Sequence, residues 1–158
     1  MKRGSSLFLR MVVVIVGIGA LALLLWEPHT EGRNAHATTF EIYFKDPFLA
    51  YVYVGSIPFF LGLGHAFKVL GYAGRDREFS LPALHSLRTI KWCAIALVGF
   101  VAGAELMILF SPSDDRAGGL FMGVLLTFAA IVVATAMSVL ERALASALDL
   151  KSENDLTV

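Results

Sequence analysis

Four apolar stretches with no charge-dense interior run along this chain, separated by short polar connections. About 20 apolar residues cross a bilayer as a helix, and charge is costly in hydrocarbon. The pattern therefore predicts an all-α, polytopic membrane protein with four transmembrane helices and a single domain. The spans fall at about 8–26, 48–70, 91–110 and 117–140. Between them lie an outer loop at 27–46 and a cytoplasmic link at 71–90, and a cytoplasmic tail follows at 141–158. A sheet-type or soluble receptor fold is incompatible with this hydropathy.

The first span runs from Met11 to Trp26 and extends back to Leu7 if Arg10 snorkels to the headgroups. Its basic start also resembles a signal peptide, but Trp26-Glu27-Pro28 supplies no small-x-small cleavage site, so a retained span is expected. The second span opens with Pro47 and carries Pro58 inside it, a residue that removes one helical hydrogen bond. Phe79-Ser80-Leu81-Pro82 reads as a helix start, with Ser80 as N-cap, Pro82 in the first turn and Phe79 stapled to Leu84. The third helix thus begins near Leu81, as an amphipathic segment at the inner interface, before entering the bilayer. Ser111 to Arg116 forms a tight turn, making spans three and four a helical hairpin. The fourth helix is expected to continue through Glu141 and Arg142 toward Leu150, with Leu140, Leu144, Ala147 and Leu148 as an apolar face.

Composition sharpens this picture. The chain is 57% hydrophobic over 158 residues, with a mean hydropathy of +0.72, and what remains outside the spans is too divided for a soluble domain. The net charge is zero, but its distribution fixes an orientation. With both termini inside, ten Lys and Arg residues lie inside and three (Arg33, Lys45 and Arg116) outside. Basic loops stay in the cytoplasm, so an N-in, C-in topology is expected. The single cysteine, Cys93, excludes an internal disulfide and reads as a packing residue rather than a palmitoylation site.

Candidate chemistry is sparse. Glu105 is the one acidic residue inside a span, so it should face other helices and be hydrogen-bonded there, as an interhelical staple or as a proton- or cation-binding site. Tyr51, Tyr53 and Ser56 of the second span and Gly123 and Thr127 of the fourth match its depth. His65 lies on the order of 15 Å from Glu105 in depth, too far for a direct relay, and reads as an interhelical hydrogen-bonding group. His85, Arg88 and Lys91 recur every three residues as a basic stripe suited to lipid headgroups, joined by Arg75 and Arg77 in the same link. Gly99 with Gly103, and Gly119 with Gly123, are small-xxx-small pairs for close helix packing, within the chain or in a homodimer. His29, Glu31, His36 and Glu41 share the outer loop without a ligand spacing, so no metal site is expected. No cofactor motif or catalytic constellation is present, which points to a non-enzymatic protein.

Several stretches carry a family resemblance. Phe67 to Leu70, Phe79-Ser80, Ile90 to Ala94, Leu140-Glu141-Arg142 and above all the ending Asp149 to Val158 resemble a bacterial family of four-span membrane proteins, domain of unknown function 2975. The resemblance implies one four-helix domain in the bacterial inner membrane. It also implies a frequent gene neighbour, a small helix-turn-helix transcription regulator, and brings no catalytic residues. The expected function is that of a membrane regulator or scaffold binding such a cytoplasmic partner and not itself contacting nucleic acid. The link from Arg75 to Lys91 and the tail with Glu153, Asn154 and Asp155 are the candidate contacts. The tail also has a plainer reading, as a cap to the fourth helix. The alternative function is a small transporter or channel subunit using Glu105.

Overall fold

In hydrocarbon a chain must satisfy its backbone polar groups within itself, and each apolar run here does so as a helix. The computed structural model describes residues 3–26, 36, 38–74, 80–110 and 116–156. These form α1 (Arg3–Trp26), α2 (Thr39–Lys45), α3 (Pro47–Ala73), α4 (Leu81–Phe110) and α5 (Arg116–Leu156), with no strand among the described residues. Four of the five, all but α2, are long and apolar enough to cross a membrane.

The boundaries have local causes. Asp46 caps α3 by accepting hydrogen bonds from the amides of Phe48 (3.0 Å) and Leu49 (3.3 Å), and Pro47 occupies the first turn where no amide is needed. α3 continues through Pro58 and ends at Gly74, whose amide donates to the Leu70 carbonyl at 3.1 Å. α4 starts at Leu81, where the Leu84 amide reaches the Ser80 carbonyl at 3.1 Å. The proposed Phe79 staple and the turn at 111–115 lie outside the described residues.

Two elements differ from the sequence-based expectation. The connection before α3 contains a helix of its own, α2, closed by a capping box in which Thr38 and Glu41 bond reciprocally. α5 does not stop near Leu150 but runs to Leu156, a total of 41 residues. At 1.5 Å per residue that is about 60 Å, twice the hydrocarbon thickness of about 30 Å.

α1 packs on α3, α3 on α4 and α4 on α5. The helices therefore stand in a row in chain order rather than in a closed bundle. Large apolar side chains such as Ile15, Phe121 and Phe128 point outward along the row, as they can where the surrounding medium is as apolar as they are. The termini-bearing ends of α1 and α5, the end of α3 and the start of α4 share one end of the row, here called the basic end. Trp26, α2 and the start of α3 lie at the other, the loop end.

Candidate functional site

At the basic end, α4 and α5 form the best-packed part of the molecule. Ala83, Ser86, Leu87, Ile90 and Ala94 are all buried and lie on one face of α4. Ser86 turns its hydroxyl back to the Pro82 carbonyl at 2.9 Å, so this buried polar group is satisfied. α4 packs on both α3 and α5, and on α5 Glu141, Leu144, Ala145 and Leu148 are half-buried. Steps of three and four residues on both helices are those of a coiled-coil seam.

Glu141 closes this seam. One carboxylate oxygen accepts from Arg88 Nε at 2.8 Å and the other from Lys91 Nζ at 2.5 Å. One anion between two cations leaves the cluster with a single positive charge. Lys91 also lies over the Trp92 ring, 5.5 Å from its centroid. The basic stripe foreseen for headgroups is thus partly committed inside the chain: Arg88 and Lys91 face α5, and the His85 ring lies 6.3 Å from that of His65 on α3. Beyond Leu148, residues 149–154 of α5 are exposed on every side, Glu153 and Asn154 among them. Arg75, Arg77 and the side chain of Asp155 lie outside the described residues.

α1 is attached to α3 differently. The Ser6 hydroxyl donates to the Leu70 carbonyl, an acceptor in the last turn of α3. The Arg10 guanidinium stacks 4.6 Å from the Phe67 ring centroid and lies so close over Gly71 that a Cβ there would collide with it. A cation near a helix C-terminus is favourably placed against the helix dipole. Arg10 therefore packs on α3. At the loop end, Tyr53 donates to the Leu24 carbonyl at 2.9 Å and Tyr43 to that of Leu25 at 3.3 Å, capping the end of α1. Between these ties the helices stay in touch, since a Cβ at Gly17 would lie 3.6 Å from Leu63 Cδ1, and an open apolar groove of about 500 Å³ runs along their junction.

Within the spans, Glu105 lies against Gly123, where an added Cβ would sit 2.5 Å from its Oε1. That oxygen and the Thr127 hydroxyl are both buried without a hydrogen-bond partner. Tyr51 is engaged elsewhere, donating to the Phe100 carbonyl at 3.1 Å and lying over Gly103. Ser56 bonds back to the Tyr53 carbonyl at 2.7 Å. Gly119 admits the Ile108 side chain, 3.1 Å from where a Cβ would be, whereas Gly99 has nothing within 4 Å. His65 Nδ1 is buried without a partner.

In the outer connection His29 and Glu31 lie outside the described residues, and no group of three metal-ligating side chains occurs among the described ones. Glu41 is occupied by the capping box: hydrogen bonds from the Thr38 amide and hydroxyl, then the Lys45 charge, hold its carboxyl below the usual range.

The features that sequence reasoning missed share a cause. The Glu141 bridge joins residues 50 and 53 positions apart, and Ser6 meets a carbonyl 64 positions away, so spacing carries no trace of either. Only α2 left a readable signal, Thr38-x-x-Glu41.

Residues 32–158 match the family described as "Protein of unknown function (DUF2975)". The "Uncharacterized membrane protein YoaS" of Bacillus subtilis (strain 168) is 36% identical over 160 residues, covering all of both chains. No solved structure matches. With most of its length inside the family's bounds and a full-length relative beside it, this chain belongs to the DUF2975 family of membrane proteins.

Proposed function

We propose that the chain is a non-enzymatic regulator or scaffold of the bacterial inner membrane, with both termini in the cytoplasm, that presents the projecting parts of α4 and α5 to a cytoplasmic partner. The observation that carries this reading is the length of α5. Its 41 residues outrun the hydrocarbon core by about 30 Å and the whole bilayer, headgroups included, by about 15–20 Å. The overhang is braced at its root by Glu141 and fully exposed from 149 to 154. A helix that only anchored the chain would need no such extension. The orientation rests on the excess of basic residues at this end. A small helix-turn-helix transcription regulator suits the partner's role, because its DNA-binding surface must be basic and the overhang ends in Glu153 and Asp155.

Affinity purification of the tagged chain from its own bacterium, beside a version truncated after Arg142, tests this. A DNA-binding regulator recovered with the full chain alone is expected. Recovery of the same proteins with both versions, or of none with either, rejects it.

A second reading, a small transporter or channel subunit, draws on the two unpartnered oxygens of Glu105 and Thr127 beside Gly123. Glu105→Gln should then abolish proton-coupled flux in proteoliposomes. Under the first reading the same variant keeps its partner.

A further inference from the structure

We infer that the cleft between α1 and α3 holds an acyl chain of one anionic membrane phospholipid, whose phosphate lies against Arg10 and Lys68. This depends on neither the orientation nor the partner proposed above.

The cleft is lined by Val13, Gly17, Leu21, Phe60, Leu63 and Phe67, with Lys68 at one end. At Gly17 the walls come within contact distance of Leu63, 3.6 Å from where a Cβ would be, whereas a Cβ at Gly64, also on the wall, would meet nothing within 4 Å. The groove is wide open, along helices whose outer faces are apolar. An empty gap there would forfeit dispersion contacts on both walls, and the surrounding material able to fill it is an acyl chain.

The charges choose the headgroup. Lys68 stands at the basic end of the cleft, and Arg10 stacks on Phe67, which lines that same end. Neither pairs with a carboxylate among the described residues, and Arg10 Nε is buried with no acceptor. Glu141, the carboxylate bracing this end, is already shared by Arg88 and Lys91. A phosphodiester supplies what is missing, one negative charge and several acceptor oxygens for a guanidinium fork and an ammonium. A zwitterionic lipid offers the same phosphate but adds a cation beside Arg10 and Lys68. An anionic headgroup is therefore preferred.

Native mass spectrometry of the full chain in mild detergent, titrated with phosphatidylglycerol or with phosphatidylcholine of the same acyl chains, tests this. One phosphatidylglycerol per chain should be retained, with about five-fold preference, the effect of roughly one basic residue at a membrane surface. Lys68→Gln should remove that preference and Lys68→Arg should keep it. Gly64→Leu, which fills the cleft, should remove retention of both lipids while helicity by circular dichroism is unchanged. Equal retention of the two lipids by the native chain would overturn the inference. So would unchanged phosphatidylglycerol binding in both Lys68→Gln and Gly64→Leu, or a second protein copy, rather than a lipid, that Gly64→Leu displaces.

Discussion

α4 and α5 meet along a continuous seam, whereas α1 meets α3 along an open groove tied by polar groups at its two ends. On the α4–α5 side, Gly119 and Gly123 admit Ile108 and Glu105, Ala94 and Ala130 are buried, and Glu141 locks the basic end. On the α1–α3 side, Ser6 and Arg10 hold one end, Tyr53 and the Tyr43 of α2 the other, and an open apolar groove runs between them. Lipid tails are as apolar as leucine, so helices in a bilayer gain nothing merely by hiding apolar surface. They associate where small residues let backbones approach or where polar groups find partners. The first pair uses both devices along its length. The second uses polar ties at the ends, where carbonyls need partners anyway.

The contrast can be broken most sharply at Gly123. Leucine there has no room, because even its Cβ would lie 2.5 Å from Glu105 Oε1 and 2.8 Å from Cγ. Overpacking of this kind costs about 3 kcal/mol. Gly123→Leu should therefore lower the unfolding temperature in detergent more than any change at the α1–α3 contact. Glu141→Ala should come next. It leaves Arg88 and Lys91 facing each other without their shared anion, with Lys91 only 19% exposed. Faster hydrogen exchange confined to residues 83–90 and 141–148 is the expected signature.

Single ties on α1 should matter less. Tyr53→Phe frees the Leu24 carbonyl and should cost about 1 kcal/mol or less, close to the usual value of an interhelical hydrogen bond in a membrane. Its effect should appear as faster exchange at the last turn of α1 alone, with α4 and α5 unchanged. The smallest effect is expected at α2. The carboxyl of Glu41 titrates lower in the fold than in the unfolded chain, so its contribution is complete above the unfolded value and is lost as pH falls through the folded one. Fraying of the first turn of α2 in acid, read from the Thr38 and Glu41 amide resonances, checks it.

The sequence disclosed the helices more readily than their partners. Long apolar runs in hydrocarbon have one backbone solution, so the four spans were legible from composition and length alone. The start of α4 at Leu81 was legible in Ser80-Leu81-Pro82 because helix-start signals are local. α2 was overlooked because one capping box in a polar connection is a weak sign beside the spans. The last turn and a half of α5 was overlooked because the apolar face ends at Leu148, whereas a helix already formed continues by adding one bond per residue. The contacts of Arg10 with Phe67 and Gly71 on α3 leave no sign in the sequence around Arg10. The pairing of Glu105 with Gly123 was accessible from depth matching. The Glu141 bridge was not, because it needs the rotation of two helices as well as their depth.

The α5 overhang lies on one side of the membrane or the other, and labelling in living cells measures which. In a Cys93→Ser background, Ser152→Cys should resist a membrane-impermeant maleimide in intact cells and react once the inner membrane is permeabilised, while His36→Cys shows the reverse. Labelling of Ser152→Cys in intact cells, with His36→Cys protected, would place the overhang outside and contradict the proposed cytoplasmic partner.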